Sequence, residues 1–104
     1  GMIGFETAFP LTVTHLFESG IIGLTDIARL LSKRPHEILG RNGGELKKNT
    51  AADIVICDMN EKFVYNKDSV VSKARNSPFL GMELKGRVCY TIRKGNFTYD
   101  RQAD

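Results

Sequence analysis

Gly44-Glu45-Leu46-Lys47-Lys48-Asn49-Thr50-Ala51-Ala52-Asp53-Ile54-Val55-Ile56-Cys57-Asp58 is the stretch on which the reading of this chain turns. Ahead of it the pattern is helical, and behind it the pattern is that of strands. Within it, Glu45 to Lys47 reads as a short extended piece, followed by a tight turn and a strand from Ile54 to Cys57. That strand is apolar and β-branched almost without a break, which predicts a strand covered on both faces. Asp53 and Asp58 bracket it and mark its ends.

Working back from that stretch, Glu6 and Thr7 favour a helix start, and Pro10 is tolerated in a first turn. Phe9, Val13, Leu16 and Phe17 follow at i, i+4, i+7 and i+8, one apolar stripe of a helix over residues 6–19. Gly20 suits the position after its cap. A second helix is predicted over residues 25–33, with Thr25 as N-cap, Asp26 in the first turn and Ile27, Leu30 and Leu31 as its buried face. Pro35 cannot continue it, so a short third helix is expected over residues 35–39. It would end at Gly40, with Ile38 and Leu39 anchored in the core. Arg41 to Gly44 reads as a loop.

Working forward, Glu61 to Tyr65 alternates, with Phe63 and Tyr65 on one side and Lys62 and Val64 on the other, a half-buried strand. Asn66-Lys67-Asp68 is a turn. The run from Ser72 to Gly81 has too many breakers for regular structure. Leu84 to Ile92 and Asn96 to Tyr99 read as a hairpin joined through Arg93-Lys94-Gly95. Residues 101–104 read as a frayed tail. The fold class is therefore α+β, N-terminal helices followed by a small, mostly antiparallel sheet.

With 104 residues the chain suffices for one small domain with a modest core. Hydrophobic residues make up 41% and charged residues 26%, the proportions of a soluble globular protein. The net charge is +3, but the cations are scattered rather than gathered on one element, which argues against a nucleic-acid surface. No apolar run approaches the ~20 residues of a membrane span, and no signal-peptide pattern opens the chain. Cys57 and Cys89 are the only cysteines. They read as a reduced core pair in a cytoplasmic protein, with a disulfide between them as the alternative.

The opening stretch resembles the strand leading into the small β-domain of the amidohydrolase superfamily, through Gly44, Leu46, Ala52, Asp53 and Asp58, with Asn49 replacing the family's middle glycine. Asn is the next-best residue for a left-handed backbone, so the resemblance implies that the turn survives the exchange. Residues 1–11, Gly-Met-Ile-Gly-Phe-Glu-Thr-Ala-Phe-Pro-Leu, resemble a segment of dihydroorotases that follows the last catalytic aspartate of their barrel. Ser32 to Gly40 is similar to a helix turn of the same family, with Arg34 where Asn is commoner. Ser72, Lys73, Ala74, Asn76, Ser77, Pro78, Phe79, Gly81, Lys85, Gly86, Thr91, Gly95 and Tyr99 continue the match in order. By this resemblance residues 1–43 correspond to the C-terminal helical segment of an amidohydrolase (β/α)8 barrel. Residues 44–104 correspond to the C-terminal part of its β-domain.

The resemblance implies a zinc-dependent hydrolase that interconverts carbamoyl aspartate and dihydroorotate in pyrimidine biosynthesis. It also implies that Gly1 contacts dihydroorotate through its backbone. A catalytic zinc needs about four converging N/O ligands with one position left to water. The only histidines are His15 and His36, on different predicted helices. His15 is expected as a partly buried helix residue and His36 as solvent-facing. A (β/α)8 barrel takes ~250 residues. The expectation is thus a C-terminal portion of a dihydroorotase with no catalytic residue, no metal site and no cofactor of its own, inactive alone. The other reading is a non-catalytic dihydroorotase-like module serving assembly or regulation. In either case the apolar helix stripe and the open strand edges predict a homo-oligomer.

Overall fold

The computed structural model describes residues 1–101. Helix α1 (residues 8–17) is α-helical over Ala8–Thr12 and passes without a break into wider, π-type turns over Val13–Phe17, where the Glu18 amide donates to the Val13 carbonyl at 2.9 Å. It ends at Gly20, whose φ of +81° is the left-handed conformation expected after a cap. Thr7 does not cap with its side chain; its hydroxyl donates back to the Gly4 carbonyl at 3.3 Å.

The two helices predicted over residues 25–33 and 35–39 are one. Helix α2 (residues 24–38) runs as α over Leu24–Ala28, π-type over Arg29–Lys33 and α again over Arg34–Ile38. Pro35 lies inside it. A proline ring ordinarily collides with the carbonyl four residues back. Here the turn just ahead of it is widened, with the Arg34 amide reaching the Arg29 carbonyl, and the helix absorbs the ring. Its start is one residue earlier than expected. Gly23 is the N-cap and its amide donates to Asp26 Oδ2 at 2.8 Å. Gly40, at φ +66°, closes it as expected.

The sheet has three antiparallel strands in the order β1 (Ile54–Val64), β2 (Glu83–Arg93) and β3 (Asn96–Asp100). The two strands expected at 54–57 and 61–65 are a single β1. Its register runs from Ile54 opposite Ile92 to Val64 opposite Glu83, shifting between Ile56 and Cys57 and again between Asp58 and Lys62. There Asp58 Oδ1 accepts the Asn60 and Glu61 amides at 2.9 and 3.1 Å, and three residues bulge opposite Gly86. Asp58 thus shapes a bulge rather than ending a strand. Val55 and Ile56 are 54% and 45% exposed, so this strand is not covered on both faces. The expected hairpin is present, with Arg93, read as part of its turn, paired with Asn96 at the end of β2. Lys94 and Gly95, both at positive φ, form its two-residue turn, a geometry that suits the twist of the strands. Asp53 holds that turn by accepting the Lys94 amide at 2.8 Å.

Helix α1 packs along β2. Gly86 takes φ +100°, and a Cβ on it would lie 2.9 Å from Val13 Cβ. Val13 and Leu84 are fully buried. Beside them Thr14 Oγ1 both accepts the Lys85 amide at 2.8 Å and donates to the Lys85 carbonyl at 3.2 Å. The core gathers next to this seam from Tyr65, Val70 and Leu84, with Ile3, Leu11, Phe63, Phe79, Leu80 and Met82 against them. Burying side chains of this size stabilises the fold by ~1.5–3 kcal/mol each. Other expected core residues are outside it. Leu30, Leu31, Ile38 and Leu39 are 41%, 43%, 69% and 73% exposed.

Arg101, expected in a frayed tail, is anchored. Its guanidinium binds the Glu61 carboxylate and its amide donates to the Cys89 carbonyl. Residues 102–104 of that tail lie outside the described residues. Cys57 and Cys89 are unpaired and half-buried. Burial, and then the neighbouring Cys89, push the Cys57 thiol above its ordinary range.

Candidate functional site

The N-terminal segment carries the one position that the sequence singled out for a ligand. Gly1, Met2, Gly4 and Phe5 are exposed, and only Ile3 is half-buried. Packing holds this segment only through Ile3, and polar contacts hold the rest. The Gly1 carbonyl accepts a hydrogen bond from the Asn76 side-chain amide, and the Ile3 amide donates to the Asn76 carbonyl at 3.0 Å. One residue thus grips the segment from both its side chain and its backbone.

Farther along, the Glu6 carboxylate accepts the Val71 amide at 2.9 Å, the Ser72 amide at 3.1 Å and the Ser72 hydroxyl at 2.8 Å. Partial burial pushes this carboxyl up, but those three donors and the Arg75 charge outweigh it and hold the group below the ordinary carboxylate range. The opposing loop is braced in turn. Arg75 donates to the Lys67 and Val70 carbonyls at 2.8 and 2.9 Å, and Ser77 Oγ accepts the Phe79 amide at 3.1 Å. The breaker-rich run from Ser72 to Gly81 is therefore irregular, as predicted, and also tied at both ends.

An open cleft of about 330 Å3 lies beside this clamp, lined by Phe5, Glu6, Phe9, Phe63, Tyr65 and Arg87 among others. The Tyr65 hydroxyl in its wall is buried without a hydrogen-bond partner among the described residues. Burial, and then the Glu6 charge, raise its pKa, while Arg75 opposes them. Arg87 is held over the Phe63 ring, its Cζ 4.8 Å from the centroid, and pairs with Glu61 at 3.3 Å.

The histidines are placed differently from expectation. His15 is exposed on α1 rather than partly buried, because the helix turns its stripe of Val13 and Leu16 inward and leaves residue 15 outside. His36 is half-buried rather than solvent-facing. Its Nδ1 lies 2.7 Å from the Ser32 carbonyl, and its ring packs on Gly43, which the chain folds back against α2. Among the described residues, no three of His, Cys, Asp and Glu come together as a metal-binding group. No helix of the described residues is long and apolar enough to cross a membrane.

Glu6 and Asn76 were not assigned a role from sequence. Glu6 read as a helix-start signal and Asn76 as one motif residue among many. Their partners lie 65 to 75 residues away, and no local pattern encodes such a pairing.

No protein-family model matches the chain. Over 96 residues it is 43% identical to a dihydroorotase of Acetivibrio thermocellus, covering 92% of this chain and 22% of that protein. It is 39% identical over 101 residues to a dihydroorotase of Clostridium botulinum, covering 97% of this chain and 25% of the relative. The chain thus spans about a quarter of the length of the curated relatives it matches. Its fold superimposes on part of an L-hydantoinase (dihydropyrimidinase) from Arthrobacter aurescens with a TM-score of 0.89 at 24% identity, covering 97% of this chain and 23% of that one. A D-hydantoinase from a Bacillus species gives 0.81 at 22% identity, covering 88% and 21%.

Proposed function

We propose, from the premise that this chain belongs to the dihydroorotase family of the amidohydrolase superfamily, that it provides the C-terminal portion of an enzyme interconverting carbamoyl aspartate and dihydroorotate. The observation that carries the reading is a match over nearly the whole chain, in sequence and in fold, to about a quarter of longer enzymes. On this reading residues 1–43 complete the barrel and residues 44–104 complete the β-domain. Gly1, exposed at the rim of the N-terminal segment, gives dihydroorotate a backbone contact.

The residues of this chain do not fit the zinc centre that the family implies. His15 points to solvent, the ring of His36 is engaged by the Ser32 carbonyl, and no third donor joins either of them among the described residues. The metal and the catalytic acid–base chemistry accordingly belong to the remainder of the whole enzyme, which would work in the cytoplasm. Purified alone, the chain is expected to bind no stoichiometric zinc and to turn over neither compound. It is also expected to self-associate. Among the described residues, Leu30, Leu31, Ile38, Leu39 and the free edge of β1 leave apolar area and unpaired backbone uncovered.

The test is a chimera in which this chain replaces the matching segment of the A. thermocellus dihydroorotase. Hydrolysis of dihydroorotate by the purified chimera is the expected result. A folded, zinc-loaded chimera without activity overturns the reading and favours the non-catalytic assembly or regulatory module.

A further inference from the structure

We infer that Asn76 is a positioning residue for the Gly1 backbone, an inference that rests on the reading of Gly1 as a substrate contact. The motif from Ser72 to Gly81 then has a role in binding dihydroorotate by way of the Gly1 backbone. Three observations carry this. In the Gly1–Phe5 segment only Ile3 packs on the core, and the other four residues are exposed. Both of its ordered ends are instead tied to one loop: Gly1 and Ile3 to Asn76, and Glu6 to Val71 and Ser72. That loop is itself braced by Arg75 on the Lys67 and Val70 carbonyls.

The geometry also explains why the residue is Asn. Its side-chain amide donates to the Gly1 carbonyl while its own backbone carbonyl accepts the Ile3 amide. Occupying the Gly1 carbonyl in this way fixes the plane of the Gly1–Met2 peptide. A backbone contact is useful to a ligand only if that plane is set before binding. Asp in the same place has the same shape but no donor, and it would turn an anionic oxygen toward the Gly1 carbonyl.

Because the contact is to bound substrate rather than to the reacting atoms, losing it weakens ground state and transition state alike. The experiment uses two preparations, each with Asn76→Asp and Asn76→Ala. In the 104-residue chain, amide hydrogen exchange at Ile3 is expected to accelerate about tenfold while Leu84 in the core is unchanged. In the active chimera, KM for dihydroorotate is expected to rise about tenfold with kcat within about twofold, Asp being worse than Ala. Unchanged exchange at Ile3, or an unchanged KM, overturns the inference. So does an equal loss in kcat at constant KM, which would mark a structural defect reaching the reacting groups. If the chimera carrying wild-type Asn76 is itself inactive, the reading under Proposed function fails and takes the ligand half of this inference with it. Exchange at Ile3 still decides whether Asn76 fixes the segment.

Discussion

Helices α1 and α2 are of similar amphipathic character in sequence, yet the fold treats them differently. The inner face of α1 is closed within the chain: Val13 is fully buried against Gly86, and Thr14 satisfies both backbone groups of Lys85. On α2 only Ile27 is buried, while Leu30, Leu31 and Ile38 stand in solvent along one side. Polar ties secure its far end instead. Glu45 accepts from Lys33 at 2.6 Å and from Lys47 at 2.9 Å, which together bring its carboxyl down to about 2. A completed seam and an uncovered face in one small chain are what a part of a larger fold presents. Apolar periodicity states that a face is to be buried, not that its cover lies in the same 104 residues.

The strongest way to break the comparison is Gly86→Val. Its Cβ would enter the space held by Val13, on a backbone at φ +100° that side chains avoid. Overpacking together with backbone strain is expected to cost ~3–5 kcal/mol, read as a lowered urea midpoint. A midpoint within error of wild type would mean that the seam is loose and the two helices are alike after all.

Acid sharpens the same contrast on the α1 side. The Glu6 carboxyl is held below its ordinary 4.5 in the folded chain, so its contribution to stability is fully present above that pH. It is lost as pH falls through the lower folded value. Urea midpoints of wild type and Glu6→Gln should therefore converge as the pH is taken from 6 toward 3. A gap that stays constant over that range would remove Glu6 from the set of groups holding the N-terminal segment.

The smallest effect on folding is expected from Leu30→Lys with Leu39→Lys. Both positions are exposed, so folding stability should move by no more than ~0.5 kcal/mol. Association should respond instead, with sedimentation equilibrium shifting toward monomer relative to wild type. A large loss of stability would show that α2 is packed by the chain itself.

Where a local rule sufficed, sequence and structure agree. The hairpin expected through Arg93-Lys94-Gly95 is there, with Arg93 drawn into the strand and Lys94-Gly95 left as the turn. Gly20 and Gly40 end helices, and Asn49, at φ +65°, takes the left-handed turn inferred for it. The order of helices before strands, the antiparallel pairing and the irregular run from Ser72 were legible for the same reason, since each depends on residues a few positions apart. The family was legible because its motifs are strings.

What the tertiary structure decided are the matters that depend on distant residues. Pro35 is absorbed by a widened helical turn, so two expected helices are one. Asp58 and Gly86, 28 positions apart, make a bulge that joins two expected strands into β1 and admits Val13. Glu6 left the helix start for Ser72, and Asn76 took hold of Gly1. Burial in particular was not readable along α2. The hydrophobic effect acts on whatever apolar surface is brought within reach, and sequence fixes the surface offered but not the surface that arrives to cover it.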